Sequence, residues 1–230
     1  IKEASECNFK TIDDIQIDNE IETGGVIHTL DRPLNHLESM KLLKSGHFGE
    51  IGNIVADSNL WYVNNHTKGK RADFAFVNPG NIRANFENAE ITTQDVQSVV
   101  PFTTSTLIKT DLSKKQIINT LNWCAQSTEF QRVVPGVMQV SGMEYTIHPD
   151  LTVSDVHIMN EDGSIKYNLD DYNDDDMFTG VYDTFLATGC DGLKDLAKDC
   201  KNDSSVEIFD ATREKALSEY VTQNNKLINY

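Results

Sequence analysis

The run ADFAFVNPG, Ala72 to Gly80, is almost unbroken in apolar character from Phe74 to Val77 and then halts at Asn78-Pro79-Gly80. Without polar alternation, such a run reads as a strand buried in a sheet and delivered into a turn. A covered strand needs a layered core around it, and 39% hydrophobic residues in 230 suffice for one. Other segments supply the layers. GGVIHTLDRPL reads as a short strand halted by Pro33. Ile51, Ile54, Val55, Ser58 and Tyr62 are spaced for one buried helical face, with Gly46, Gly49 and Gly52 making its entry a loop. ITTQDVQSVVPF starts a short helix at Thr92 or Thr93, with Asp95 in its first turn and Pro101 as its stop. TSTLIKTDL alternates as a strand, and Ser113 caps the helix SKKQIINTLNWCAQ. GVMQVSGMEYTIHP is rich in strand formers, VHIMNEDGSIKYNL is a hairpin turning at Asp162-Gly163, and MFTGVYDTFLATG is a further strand. FDATREKALSEYVTQN reads as a closing helix capped by Asp210. Strands and helices interleave without a regular βαβ rhythm, so the expected class is α+β, a single domain with a mixed sheet and flanking helices. Residues 1–25 read as a connecting segment and 26–230 as the domain. A first residue Ile1 rather than Met points to a processed product or a fragment.

Net charge is −16, so duplex nucleic acid is a poor partner, and no apolar run approaches the ~20 residues of a membrane span. The acidic run NLDDYNDDDM reads as a solvated loop, since it lacks the glycine of an EF-hand. Cys7, Cys124, Cys190 and Cys200 form no CxxC pair; Cys190 and Cys200 either bridge or stay free thiols. His28, His36, His47, His66, His148 and His157 sit at no metal-ligand interval. There is no GxSxG elbow, no Walker A loop and no GxGxxG. No catalytic residue and no metal ligand is assigned to this chain.

What the residues do offer is a receptor for a ring. Arg83 follows the turn NPGNIR, where Gly80 and nearby amides can face a polar or anionic ligand and the guanidinium adds a planar fork. Phe102 follows Pro101 in a turn, and Phe185 precedes the turn ATGCDG. Two aromatic rings presented from loops can sandwich a base, each stack worth ~1–3 kcal/mol.

Five landmarks in order make the resemblance specific: GEIGNIVADS; ADFAFVNPGNIRANFENAEITTQDVQSVVPF; MQVSGMEY; FLATGCDG; and DATREKALSEYV. Together they resemble the C-terminal domain of the 5′-nucleotidase family, which includes UDP-sugar hydrolases, apyrases and 2′,3′-cyclic-nucleotide phosphodiesterases. The likeness covers roughly Val26 to the C-terminus. It implies a substrate-recognition domain of a nucleotide phosphohydrolase, binding a nucleoside or nucleotide. The base-stacking phenylalanines fall on Phe102 and Phe185, the substrate-binding arginine on Arg83, the pocket aspartate on Asp191 and the strand glycine on Gly142. Asn78 and Gly80 of the first glycine turn, and Asn53 at the start of the first helix, complete the implied set. Gly189 and Gly192 permit close approach of a ligand to Asp191. The resemblance also implies a separate N-terminal metallophosphoesterase domain holding two divalent metal ions, and an exported parent at the cell surface, in the periplasm or outside the cell. This sequence departs from the family pattern at Pro79, Asn81, Thr104 and Cys190. The altered glycine turn, with Asn53 and no nearby arginine at the helix start where some members carry arginines, leaves a second reading, a binding or surface-interaction module that kept the fold and lost the nucleotide pocket.

Overall fold

The structure is a computed structural model that describes residues 25–30, 32–34, 50–127 and 136–224. The connecting segment expected before Gly25, and the loop at Gly46 and Gly49, lie outside the described residues. The buried run forms β2 (Phe74–Val77), every residue of it buried, after β1 (Val26–Thr29) and α1 (Glu50–His66). β3 (Glu90–Thr92), α2 (Thr93–Val99), β4 (Thr106–Ser113) and α3 (Lys114–Ser127) follow. Thr92 caps α2 with a reciprocal bond to Asp95, which fixes the helix start. Ser113 does the same for α3, its Oγ accepting from Gln116 N at 3.2 Å and its own N–H donating to Gln116 Oε1 at 3.0 Å.

The second half of the chain contributes β5 (Gln139–Ser141), β6 (Met143–Ile147), β7 (Val153–Met159), β8 (Ile165–Asn168) and β9 (Met177–Asp183). After them come a single helical turn, α4 (Thr184–Ala187), then β10 (Glu207–Thr212) and α5 (Arg213–Gln223). Three details differ from the sequence reading. Phe185 does not end a strand but lies in α4, because Asp183 Oδ1 accepts from Leu186 N at 3.1 Å and nucleates the turn. Asp210 is not the cap of the closing helix; it lies in β10, and Thr212 Oγ1 caps α5 by accepting from Lys215 N at 3.2 Å. Gly52, expected in a loop, lies inside α1, where any Cβ would fall 2.0 Å from Gln139 Oε1.

The central sheet runs β10-β4-β9-β2-β5, with β2 and β9 parallel and every other neighbouring pair antiparallel. β6-β7-β8 form a second sheet and β1-β3 a two-stranded ribbon. α1 packs its Ile51, Ile54 and Val55 with Val77, Ile82 and Phe86, while Ile117, Leu121 and Cys124 of α3 join Phe74, Phe76 and Tyr182 in the largest core cluster.

This topology decides where loops meet. The parallel pair β2 and β9 end at the same edge, so the turns after Val77 and Asp183 emerge side by side. β4 runs the other way and begins at that edge, Leu107 facing Asp183. β10 ends there too, Thr212 facing Thr106. Crevices outside the carboxyl ends of parallel strands are where open α/β sheets collect ligands.

Candidate functional site

Asn78 is buried and begins a 3-10 turn at Pro79–Asn81. Asn81 N donates to Asn78 O at 3.1 Å and Ile82 N to Pro79 O at 3.0 Å. Those amides therefore close the turn, and Pro79 has none, which leaves Gly80 as the amide of this turn that does not serve its closure. The wider N–H cradle expected here is reduced to that one group. Arg83 N donates to Val99 O at 2.8 Å, tying the turn to the end of α2. The Arg83 guanidinium carbon then sits 5.4 Å from the centroid of the Phe102 ring, which is 38% exposed. At an exposed site a cation over an aromatic face is worth about 0.5–1 kcal/mol.

The second turn closes on the first. Gly189, Asp191 and Gly192 have φ of 73, 60 and 79°, left-handed backbone that glycine takes freely and aspartate tolerates. In this conformation Asp191 Oδ2 accepts from Asn78 Nδ2 at 3.3 Å, a contact across 113 residues of chain. Burial raises the Asp191 pKa, and the Asn78 bond opposes that shift. Phe185 is half-buried and packs against the largest core cluster, so only part of its ring is available to a ligand. Thr106 N donates to Thr184 Oγ1 at 3.2 Å, joining the segment after Phe102 to the turn that carries Phe185.

Asn53 lies in the first turn of α1, beside Gly52, whose close approach to Gln139 sets the start of that helix against the edge where Gln139 faces Val77. Gly142 is not brought there. It leaves β5 at the opposite end of the sheet with φ 64°, and a Cβ would lie 2.5 Å from Asp73 O. Its lack of a side chain is accounted for by that backbone crossing into the small sheet. Nearby, Asp73 accepts from Lys166 Nζ at 2.7 Å and Thr179 N at 3.0 Å, stitching the two sheets together.

Four residues at this edge carried no functional reading in the sequence: Trp123, Asn81, Asp183 and Arg213. Trp123, 47% exposed, donates its Nε1–H to Asp191 O at 3.0 Å, and its ring lies where a Cβ on Gly192 would be, at 2.5 Å. Asn81 is in side-chain contact with Asn78. Arg213 Nη2 lies 2.8 Å from Asp183 Oδ2, both side chains buried. A signal for Arg213 existed: it opens α5, where a cation opposes the helix dipole and needs another reason to be there. No disulfide joins Cys190 to Cys200. Among the described residues no group of three or more His, Cys, Asp or Glu could hold a metal ion, so the dimetal centre implied by the resemblance has no ligand set in them. Among the same residues no helix is long and apolar enough to cross a membrane.

Fold and edge together define a mixed α/β domain whose polar and aromatic groups converge where two parallel strands end. A family model described as 5′-nucleotidase, C-terminal domain, matches residues 27–198, and the chain belongs to that family. Trifunctional nucleotide phosphoesterase protein YfkN of Bacillus subtilis (strain 168) is 30% identical over 185 residues, covering 71% of this chain and 12% of that protein. Among solved structures, the 5′-nucleotidase precursor from Thermus thermophilus superposes with a TM-score of 0.68 at 23% identity, over 86% of this chain and 36% of that one. The NAD nucleotidase of Haemophilus influenzae gives 0.66 at 16%, over 86% and 35%. At these identities the two structures speak to the fold. The chain thus spans about an eighth of the curated relative and about a third of each structure.

Proposed function

We propose that this domain recognises the nucleoside part of a substrate for a nucleotide phosphohydrolase whose metal-bearing catalytic domain lies elsewhere in the parent protein. The base stacks between Phe102 and the exposed part of Phe185, Asp191 accepts from a ribose hydroxyl or a base N–H, and Arg83 meets an anionic or polar group. The observation that carries this reading is the Asn78–Asp191 hydrogen bond, which brings both ligand-facing turns to one edge. Arg83 over Phe102 supports it, since it couples a cation to an exposed ring at that edge. In the parent, two divalent ions held by the other domain would polarise the phosphate and supply the attacking hydroxide; this chain contributes binding and orientation. An exported parent fits this role.

Calorimetry of the chain with adenosine, AMP and an unrelated sugar tests the reading. Saturable heat with the first two and none with the sugar is expected; no heat with either up to millimolar concentration overturns it. One observation favours a second reading, a binding module without a nucleotide site: Phe185 gives part of its ring to the core. The same titration separates the two.

A further inference from the structure

A buried charge pair that the proposed binding chemistry does not use sits behind both ligand-facing turns. Arg213 opens α5 and is 2% exposed; Asp183 ends β9 and is 1% exposed. Their Nη2 and Oδ2 are 2.8 Å apart. From Asp183 the contacts run one way, because its Oδ1 accepts from Leu186 N at 3.1 Å and so holds the turn bearing Phe185. From Arg213 they run the other way. With its amide oxygen turned to the guanidinium, which can only donate, Asn81 accepts from Nη2 at 3.2 Å. In that orientation the Asn81 oxygen faces Asn78 Oδ1, and two acceptors cannot pair, so the two asparagines are coupled by packing rather than by a hydrogen bond, while Asn78 donates to Asp191 at 3.3 Å.

We propose that Arg213 is a positioning residue: it sets the spacing between the Phe185 ring and the Asp191 carboxylate, and through that spacing the affinity for a nucleoside. Stability alone does not explain it. A buried ion pair is often replaceable by apolar groups at no loss, and a cation in the first turn of α5 opposes the helix dipole. A planar fork of donors, however, can reach Asp183 and Asn81 at once, whereas a lysine ammonium is one point. The inference rests on the nucleoside reading above.

The test uses the full chain with Trp61→Phe, leaving Trp123 as its one tryptophan; Trp123 Nε1 donates to Asp191 O, so its emission reports on that turn. Two variants are compared with this parent. Arg213→Lys keeps the charge and loses the fork. Arg213→Met with Asp183→Asn removes both charges and keeps a residue able to cap the Phe185 turn. Both should melt cooperatively, shift the ligand-free Trp123 emission, and bind adenosine about tenfold or more weakly, equivalent to ~1.4 kcal/mol. Parental affinity together with unshifted emission in either folded variant overturns the proposal. A double variant that does not melt cooperatively hands the decision to Arg213→Lys. If the parent itself binds neither adenosine nor AMP, the nucleoside reading fails. The positioning role then stands on a shifted emission and falls on an unshifted one.

Discussion

Asp191 carries two opposed demands, and its own titration separates them. Burial raises its folded pKa, so below its unfolded pKa the carboxyl is neutral in both states and no charge is desolvated by folding. As pH rises through the folded value, the native state must hold a half-buried charge, and stability falls. Asp191→Asn should therefore melt no lower than wild type at neutral pH and somewhat higher, with the gap closing as acid protonates the native carboxyl. Thermal scans from neutral to acid pH check this; a variant that melts lower at neutral pH contradicts the sign. Asparagine tolerates the φ of 60° there, so backbone strain does not confound the comparison. The same variant should bind adenosine less tightly, making Asp191 a residue kept at some cost to the fold. Phe185→Ala should weaken adenosine more, because stacking is worth ~1–3 kcal/mol per base while a polar contact contributes ~0.5–1.5 kcal/mol net. Phe185 also packs against the core, so a circular-dichroism melt must show the variant folded before calorimetry is read. An equal or larger loss in Asp191→Asn means the ring does not carry the ligand.

Among strands and turns, the two ends of the central sheet do different work. The edge where β2 and β9 end gathers the candidate ligand groups, while the opposite end, with Gly142, Asp73 and Lys166, joins the sheets. Gly142→Ala should lower stability by about 1–2 kcal/mol from the left-handed backbone alone, and more from the contact with Asp73 O. Adenosine affinity should stay within about twofold in a variant still folded, as the difference of two calorimetric titrations shows. A selective loss of affinity would put Gly142 back among the ligand groups. β2, α2 and α3 were legible in the sequence because periodicity, caps and apolar runs are local. β10 was not: Asp210 resembled a cap, and only pairing with β4 shows that Glu207 to Thr212 is a strand. Arg83, Phe102 and Phe185 could be picked out as candidates because each borders a turn in the sequence, and Asp191 because the family resemblance falls on it. Asn81 and Trp123 could not, since their meaning is a contact across the fold, and Arg213 offered only its place in the first turn of α5. Gly142 lies at the other end of the sheet, where a tight backbone crossing accounts for a glycine, and in sequence such a glycine looks the same as a ligand-facing one.

Taken as one body, the domain should bind its ligand without metal. The described residues hold no group of three or more candidate ligands, so adenosine affinity of this chain should be unchanged by excess chelator. Calorimetry with and without EDTA checks it, and a loss of binding would mean a metal site that this fold does not display. Phosphate release by the full parent, in contrast, should stop under the same treatment if catalysis resides in a metallophosphoesterase domain. The order of assembly is set by one feature of the sheet. Its outer strand β10 and the helix α5 that follows come from residues 207–223, yet Arg213 touches Asp183 and Asn81 at the heart of the ligand-facing edge. During synthesis the two aromatic loops and both glycine turns leave the ribosome before the arginine behind them exists, at ~5–20 residues per second. A nascent chain stalled before residue 213 carries all the candidate ligand groups named above and has no brace behind them, so the candidate site matures only once the segment from β10 into α5 has followed.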